Sequence, residues 1–176
     1  MAPGHADEIV SKKDEECLAR NIYHEAANES EEGKVAVGVV TLNRAKDSRF
    51  GSSICSVVHQ KTIVTRTKEI KKDIVERGWF RDKIHTVTDV VITQVPICQF
   101  SWVCSLVKKP KLSDTRWDES KRIAQDLLNG DYNVWVEKYE RALFFHAVSV
   151  KPTWAKQKEI VERIGGHIFY AERPRP

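Results

Sequence analysis

Two carboxylates four residues apart, Glu25 and Glu29, lie in the stretch NIYHEAANE at residues 21–29. Leu18, Ile22 and Ala26 recur there at helical spacing, and Glu25, seven residues after Leu18, falls back on nearly the same face. A carboxylate on an apolar helix face is desolvated, which disfavours its charge and raises its pKa toward neutrality. A general acid needs that property. Cleavage of a glycosidic bond requires such a group to protonate the leaving oxygen while positive charge grows on the sugar ring. The competing reading is structural: Glu25 caps a helix or pairs with a buried arginine such as Arg20 or Arg44. His24-Glu25 also opens like the zinc-binding His-Glu-x-x-His, but the fifth position is Asn28 and the motif fails. The serines sit in cap-like or tryptophan-flanked settings without a Gly-x-Ser-x-Gly elbow, which leaves nucleophilic catalysis a weak alternative.

Two further segments combine aromatic rings with amide, hydroxyl and imidazole groups: Gln99-Phe100-Ser101-Trp102 and Phe144-Phe145-His146-Ala147. Sugar rings stack on aromatic faces while such polar groups hold their hydroxyl and acetamido substituents, so both segments suit a polysaccharide groove. Ordinary strand and core packing accounts for them equally well. Cys17, Cys55, Cys98 and Cys104 form no Cys-x-x-Cys pair and no zinc-like spacing with histidine, so neither a metal nor another cofactor is expected. With no export leader in MAPGHADEIVSKKDEE, the four cysteines are expected to be buried free thiols rather than a disulfide framework.

The elements that must position these groups read as follows. Ser11 with Asp14 starts a first helix that runs to about Ala27, Asn28 stops it, and Ser30 followed by Glu31 and Glu32 starts a second through Val35, Val39 and Leu42. These two helices form a tight corner carrying Glu25 and Glu29. Ile54, Val57 and Val58 suggest a short third helix behind a serine cap. Glu69 to Arg77 reads as a charged surface helix around Ile70 and Ile74, and the β-branched run Thr86 to Val95 fits a strand or a buried helix. Asp114 caps an amphipathic helix ended by Asn129-Gly130. The apolar run Ala142 to Val148, then Ile160 to Ile164 and His167 to Tyr170 around Gly165-Gly166, predicts a small antiparallel sheet. The fold class is therefore α+β, in a single domain over residues 1–176 with a flexible segment at 1–13.

With 41% hydrophobic and 31% charged residues the chain reads as a globular protein, and no apolar run approaches membrane-spanning length, so membrane insertion is not expected. A net charge of +4 and the short basic run Lys108-Lys109-Pro110-Lys111 permit a nucleic-acid partner without indicating one.

Read together and in order, LARNIYHEAANESEEGKVAVGVVTLNRAKDSRFGSSICSVVHQ, QFSW, ALFFHAVSVKPTWA and IGGHIFY resemble the spore cortex-lytic enzyme family of cell wall hydrolases (SleB-like). The resemblance spans Cys17 to His59 and Cys98 to Tyr170. It implies a lysozyme-like helical domain with a small sheet near the C-terminus, and peptidoglycan as the substrate. The bond cut would lie between N-acetylmuramic acid and N-acetylglucosamine. The family's Tyr-x-Glu-Ala segment maps onto Tyr23, Glu25 and Ala26, with Glu25 as the acid, and Glu29 takes the second acidic position. Tyr23, Gln99, Ser101, Trp102, Phe145 and His146 match positions around the groove, Asn43 and Arg44 support the acid, and His167 orients the terminal hairpin.

In the lytic transglycosylase route one glutamate acts as acid and then base and leaves a 1,6-anhydromuramic end. A hydrolytic muramidase would use Glu25 with Glu29 as second carboxylate, at a separation of about 5 to 9.5 Å. A non-catalytic wall-binding module is the third reading. Glu29 is otherwise expected to be a solvated charge at a helix end. Residues 61–97 are longer than the connection usual in the family and are expected to form a lid or an extra substrate wall. Without a leader, the resemblance points to a phage-type lysin that reaches the wall by permeabilisation or with a virion.

Overall fold

The computed structural model describes residues 11–174 except Leu106 and Lys108. Of the segment expected to be flexible, residues 1–10 lie outside the described residues, while Ser11 caps the first helix and Lys12 and Lys13 belong to its first turn. Lys108 of the basic run also lies outside them.

Helix α1 (Lys12–Ala26) begins where the Ser11 hydroxyl accepts the Asp14 amide, and its stripe of Leu18, Ile22 and Ala26 is buried together with Cys17, Ala19 and Asn21. Ser30 caps α2 (Glu31–Lys46) by accepting the amide of Gly33. Every residue from Gly33 through Thr41 is buried, so α2 is the central helix of the packing. Gly38 is required there: a Cβ at that position would lie 2.5 Å from Leu127 Cδ1 and 3.2 Å from Ile22 Cδ1. The polar groups caught in this contact are satisfied. Asn21 donates to Thr41 Oγ1 at 3.0 Å, Thr41 donates to the Val37 carbonyl, and Lys34 reaches Glu119 at 2.7 Å.

Helix α3 (Ile54–Val58) follows a capping box at Ser53. Strands β1 (Lys61–Glu76) and β2 (Lys83–Cys98) then form an antiparallel two-stranded ribbon in unbroken register from Lys61 opposite Cys98 to Glu76 opposite Lys83. The surface helix expected at Glu69–Arg77 is thus a strand. Ile70 and Ile74 share a face at a spacing of four in a helix and in a strand alike, and cross-strand pairing with the β-branched run at Thr86–Val95 decides between them. That run is strand, not buried helix.

A short α4 (Ser101–Cys104) leads to α5 (Thr115–Leu128), which Asp114 caps and which buries Trp117, Ile123, Ala124 and Leu127. After α6 (Asn133–Lys138) come β3 (Phe144–Ala147), a 3-10 turn (Thr153–Gln157), β4 (Lys158–Ile164) and β5 (His167–Glu172). The three strands pair antiparallel in the order β3-β5-β4, and the middle strand β5 is buried from His167 through Ala171. This is the α+β architecture the sequence predicts, helices first and a small sheet last, with the ribbon added.

The free-thiol expectation is overturned. Cys17 is bonded to Cys55, joining α1 to α3, and Cys98 to Cys104, closing the short loop between β2 and the end of α4. Packing brings the paired Cα atoms to 5.3 and 5.7 Å, within bonding reach, and spacing in sequence carries no sign of that approach. The first disulfide spans 38 residues. Replacing Cys17 and Cys55 by alanine is expected to cost about 2–4 kcal/mol, read as a lower midpoint of denaturant unfolding. An unchanged midpoint would mean that packing alone holds α1 on α3.

Candidate active site

Glu25 lies in the last turn of α1, half-buried, with its carboxyl at a cavity of about 220 Å³. The other walls come from Arg44 on α2, from Gln99, Phe100 and Ser101 after β2, from Phe145, His146 and Ala147 of β3, and from His167 of β5. A wider cavity of about 560 Å³ shares Arg44, Gln99, Phe145 and His146 and continues past Phe144 to Trp154 and Lys158. A third, about 280 Å³, shares Gln99 and ends on Thr62, Ile97 and Cys98 at the base of the ribbon. Gln99 is common to all three, so they adjoin one another beside Glu25. Of residues 61–97, Thr62 and Ile97 wall the third cavity, and none lines the cavity of Glu25.

Burial pushes the Glu25 carboxyl up to about 7 from an ordinary 4.5, against the pull of the nearby Arg44 guanidinium. Arg44 is itself buried. Its Nε–H donates to the Leu143 carbonyl at 2.7 Å, and its charge lies over the rings of Phe50, Phe100 and Phe144 at 5.1, 5.4 and 5.9 Å. The preceding Asn43 donates to the carbonyls of Tyr139 and Ala142, both at 2.9 Å. Together Asn43 and Arg44 fasten α2 to the chain just ahead of β3, and that attachment sets where Phe145 and His146 stand. His146 uses both nitrogens inside the protein: Nδ1–H donates to the Ala147 carbonyl at 2.8 Å, and Nε2 accepts the Tyr170 hydroxyl at 2.9 Å. Its ring face and edge are what it can offer a ligand. The Gln99 side-chain amide makes no hydrogen bond among the described residues and lines all three cavities.

Glu29 is not the solvated charge expected. It follows the end of α1 and turns inward, where Oε2 accepts the Gly166 amide at 3.0 Å and Oε1 stands 3.5 Å from His167 Nδ1. That second contact is too long for a hydrogen bond, and burial lowers the His167 pKa, so the ring is neutral and the contact is no ion pair at neutral pH. The glycine turn is shaped by this carboxylate. Gly165 has φ +51, a Cβ on it would strike Glu29 Oε2, and a Cβ on Gly166 would come within 2.8 Å of Oε1.

Of the expected site residues, the fold brings together Glu25, Gln99, Ser101, Phe145 and His146. Tyr23, two residues from Glu25 and so on another side of the helix, donates its hydroxyl to Asp114 at 2.7 Å and lines a separate cavity with Lys109, Lys111 and Arg116. Trp102 stacks on His24 with ring centres 4.4 Å apart and donates its indole N–H to Asn21, so it braces α1 from outside the Glu25 cavity. Phe100 lines the cavity as its segment suggests, while Trp154 and the cavity-facing position of His167 lie beyond the expected site residues. The aromatic and histidine residues after Ala142 are the available signal for these two.

The folded protein holds the Glu25 proton between about 4.5 and about 7, where the unfolded chain has released it. Stability is therefore lost as pH rises through that interval. Glu25→Gln carries no charge to bury and is expected to gain about 1–3 kcal/mol over the wild type at pH 8, with a smaller gain at pH 5. Thermal midpoints of both proteins at the two pH values check this, and an equal gap at both would contradict it. Gly165→Ala is expected to lose about 1–3 kcal/mol, measured by chemical unfolding, because it forces a positive φ and displaces Glu29.

Among solved structures the chain is similar to the crystal structure of the catalytic domain of the Bacillus cereus SleB protein. The two are 18% identical over 96% of this chain and 99% of that one, with a TM-score of 0.55, a likeness of fold. No curated protein matches the chain. The model of the cell wall hydrolase family matches residues 28–170, most of the chain and every wall of the Glu25 cavity except Glu25 itself. The chain accordingly belongs to the cell wall hydrolase family and is an enzyme acting on peptidoglycan.

Proposed function

We propose that the enzyme is a lytic transglycosylase that cuts glycan strands between N-acetylmuramic acid and N-acetylglucosamine, with Glu25 as its acid and base. One observation carries this reading: Glu25 is the sole carboxylate among the residues lining its cavity, and its pKa is raised to about 7. A single carboxyl group that is largely protonated near neutrality suits a route that uses one group twice. Glu25 gives its proton to the glycosidic oxygen as the C1–O bond breaks and positive charge forms on the muramic ring. The C6 hydroxyl of that sugar then attacks C1, and the Glu25 carboxylate takes the hydroxyl proton. The acid is restored and no water is consumed. Arg44 favours the carboxylate formed midway, while burial favours the acid at either end. The wider cavity that adjoins that of Glu25, with Phe144, Phe145 and Trp154 along it, suits a polymer of sugars. Two disulfides suit work outside a reducing cytosol.

A hydrolytic muramidase is the second reading. It would need a base for water, and Glu29 approaches the cavity only through His167, 3.5 Å from Nδ1.

Digestion of purified peptidoglycan, with mass spectrometry of the released muropeptides, tests both. The wild type is expected to leave anhydromuramic ends, Glu25→Gln to lose about 10²–10⁴-fold in rate, and Glu29→Gln to keep most of it. Reducing ends lost in Glu29→Gln would mean hydrolysis, and wall binding without products from any form would mean a binding module. The rate is expected to fall as pH rises through about 7, since the acid must carry its proton to begin.

A further inference from the structure

The ribbon β1–β2 stands with nearly every side chain exposed, and at its tip Trp79 and Phe80 are 94% and 96% exposed. A lone two-stranded ribbon with apolar side chains on both faces is marginal in water. Its two edges are not alike. Half of the sixteen residues of β1 are charged, many of them lysine, the usual protection against edge pairing, whereas β2 has only Lys83 and Asp89. From Ile84 to Ile97 the open edge of β2 carries a single formal charge, among valine, isoleucine and threonine.

We propose that β2 is a self-pairing edge. Two copies of the chain join arm to arm, β2 antiparallel to β2 of the second copy about a two-fold axis at Val87, in a four-stranded sheet ordered β1-β2-β2-β1. From Ile84 to Val90 the side-chain sequence is self-complementary about that point. Val87 meets Val87 of the second copy, Thr86 meets Thr88, His85 meets Asp89, and Ile84 meets Val90, so each residue faces one of matching chemistry on the same side of the sheet. An axis at Asp89 would oppose two carboxylates. An axis nearer Cys98 would drive each tip against α4 of the other copy, which the Cys98–Cys104 disulfide holds beside the strand end. With the axis at Val87, each tip stops short of that helix, and Trp79 and Phe80 lie alongside Gln94 and Val95 of the second copy. The pairing thus gives the two most exposed aromatic side chains a surface to cover.

Light scattering across a concentration series is expected to show the molar mass doubling, and Val87→Lys, which places two ammonium groups on the axis, to return it to that of one chain that still unfolds cooperatively, with a thermal midpoint no longer dependent on concentration. The four native cysteines are paired, so a new thiol reports position cleanly. Val87→Cys is expected to give a disulfide-linked dimer under mild oxidation, because directly opposed Cβ atoms lie about 4.5–5.5 Å apart. Val91→Cys is expected to stay unlinked, because the two copies of that residue would be about 27 Å apart. A single-chain mass at every concentration overturns the proposal. So does a doubled mass that survives Val87→Lys, or cross-linking of Val91→Cys as readily as Val87→Cys.

Discussion

A buried guanidinium organises the cleft. Arg44 sits on the central helix with 3% of its surface exposed, and removing such an ion from water costs several kcal/mol unless the surroundings compensate. Here the compensation is divided among segments far apart in sequence: the Leu143 carbonyl ahead of β3, the rings of Phe50, Phe100 and Phe144, and the carboxyl of Glu25 on α1. None of these segments can move far without leaving the charge less well served, so the walls of the groove are held in relation to one another by a single side chain. The arrangement also stops short of a direct ion pair with Glu25. A bidentate arginine would hold the carboxylate ionised, whereas a cation that makes no ion pair with it leaves burial the stronger influence and the acid form accessible near neutrality.

The two carboxylates that open the sequence problem end in different roles because the helix between them ends. On a continuous helix Glu29 would stand one turn beyond Glu25 on a similar face. Helix α1 stops at Ala26 and the chain turns before Ser30 starts α2, which frees Glu29 from that register and points it at the turn between β4 and β5. There it accepts a backbone N–H and excludes side chains from both glycines. The small sheet is thereby docked on the helical corner, and the docking carries His167 to the cavity wall. A residue expected as a solvated charge is held inside the protein instead, where it ties together the two halves of the fold.

Local chemistry was legible in the sequence and long-range pairing was not. The caps at Ser11, Ser30 and Asp114, a serine cap ahead of Ile54, the Asn129-Gly130 stop and the glycine turn of the last hairpin depend on neighbours within a few residues, and each reads directly. Glu25 was legible for the same reason, since periodicity alone places it on the buried face. The ribbon was missed because β1 is half charged and its isoleucines satisfy two periods, so its strand character comes only from a partner strand beyond the turn. The disulfides and the diversion of Tyr23 toward Asp114 likewise depend on which elements meet. The resemblance implies Tyr23 at the groove, but an offset of two residues from Glu25 on a helix turns a side chain to another wall.

The ribbon is also held unevenly along its length, which bears on why an open edge persists in it. At the base, the Gln99 amide donates to the Gln60 carbonyl and the Cys98–Cys104 disulfide closes the adjoining loop, so the register is set where the ribbon meets the groove. Toward the tip, Thr86 donates to Asp73, Lys72 pairs with Asp89, and His85 stands by Glu76. Between these anchors the strands meet through residues such as Thr67 opposite Ile92 and Lys68 opposite Val91, with few polar ties across the ladder. Pinning both ends keeps the middle extended without covering its edge. A fold that spends ordered residues this way gains little stability from the ribbon itself, so the cost of ordering it has to be offset elsewhere, and pairing with a second strand would offset it by satisfying the N–H and C=O groups along that edge.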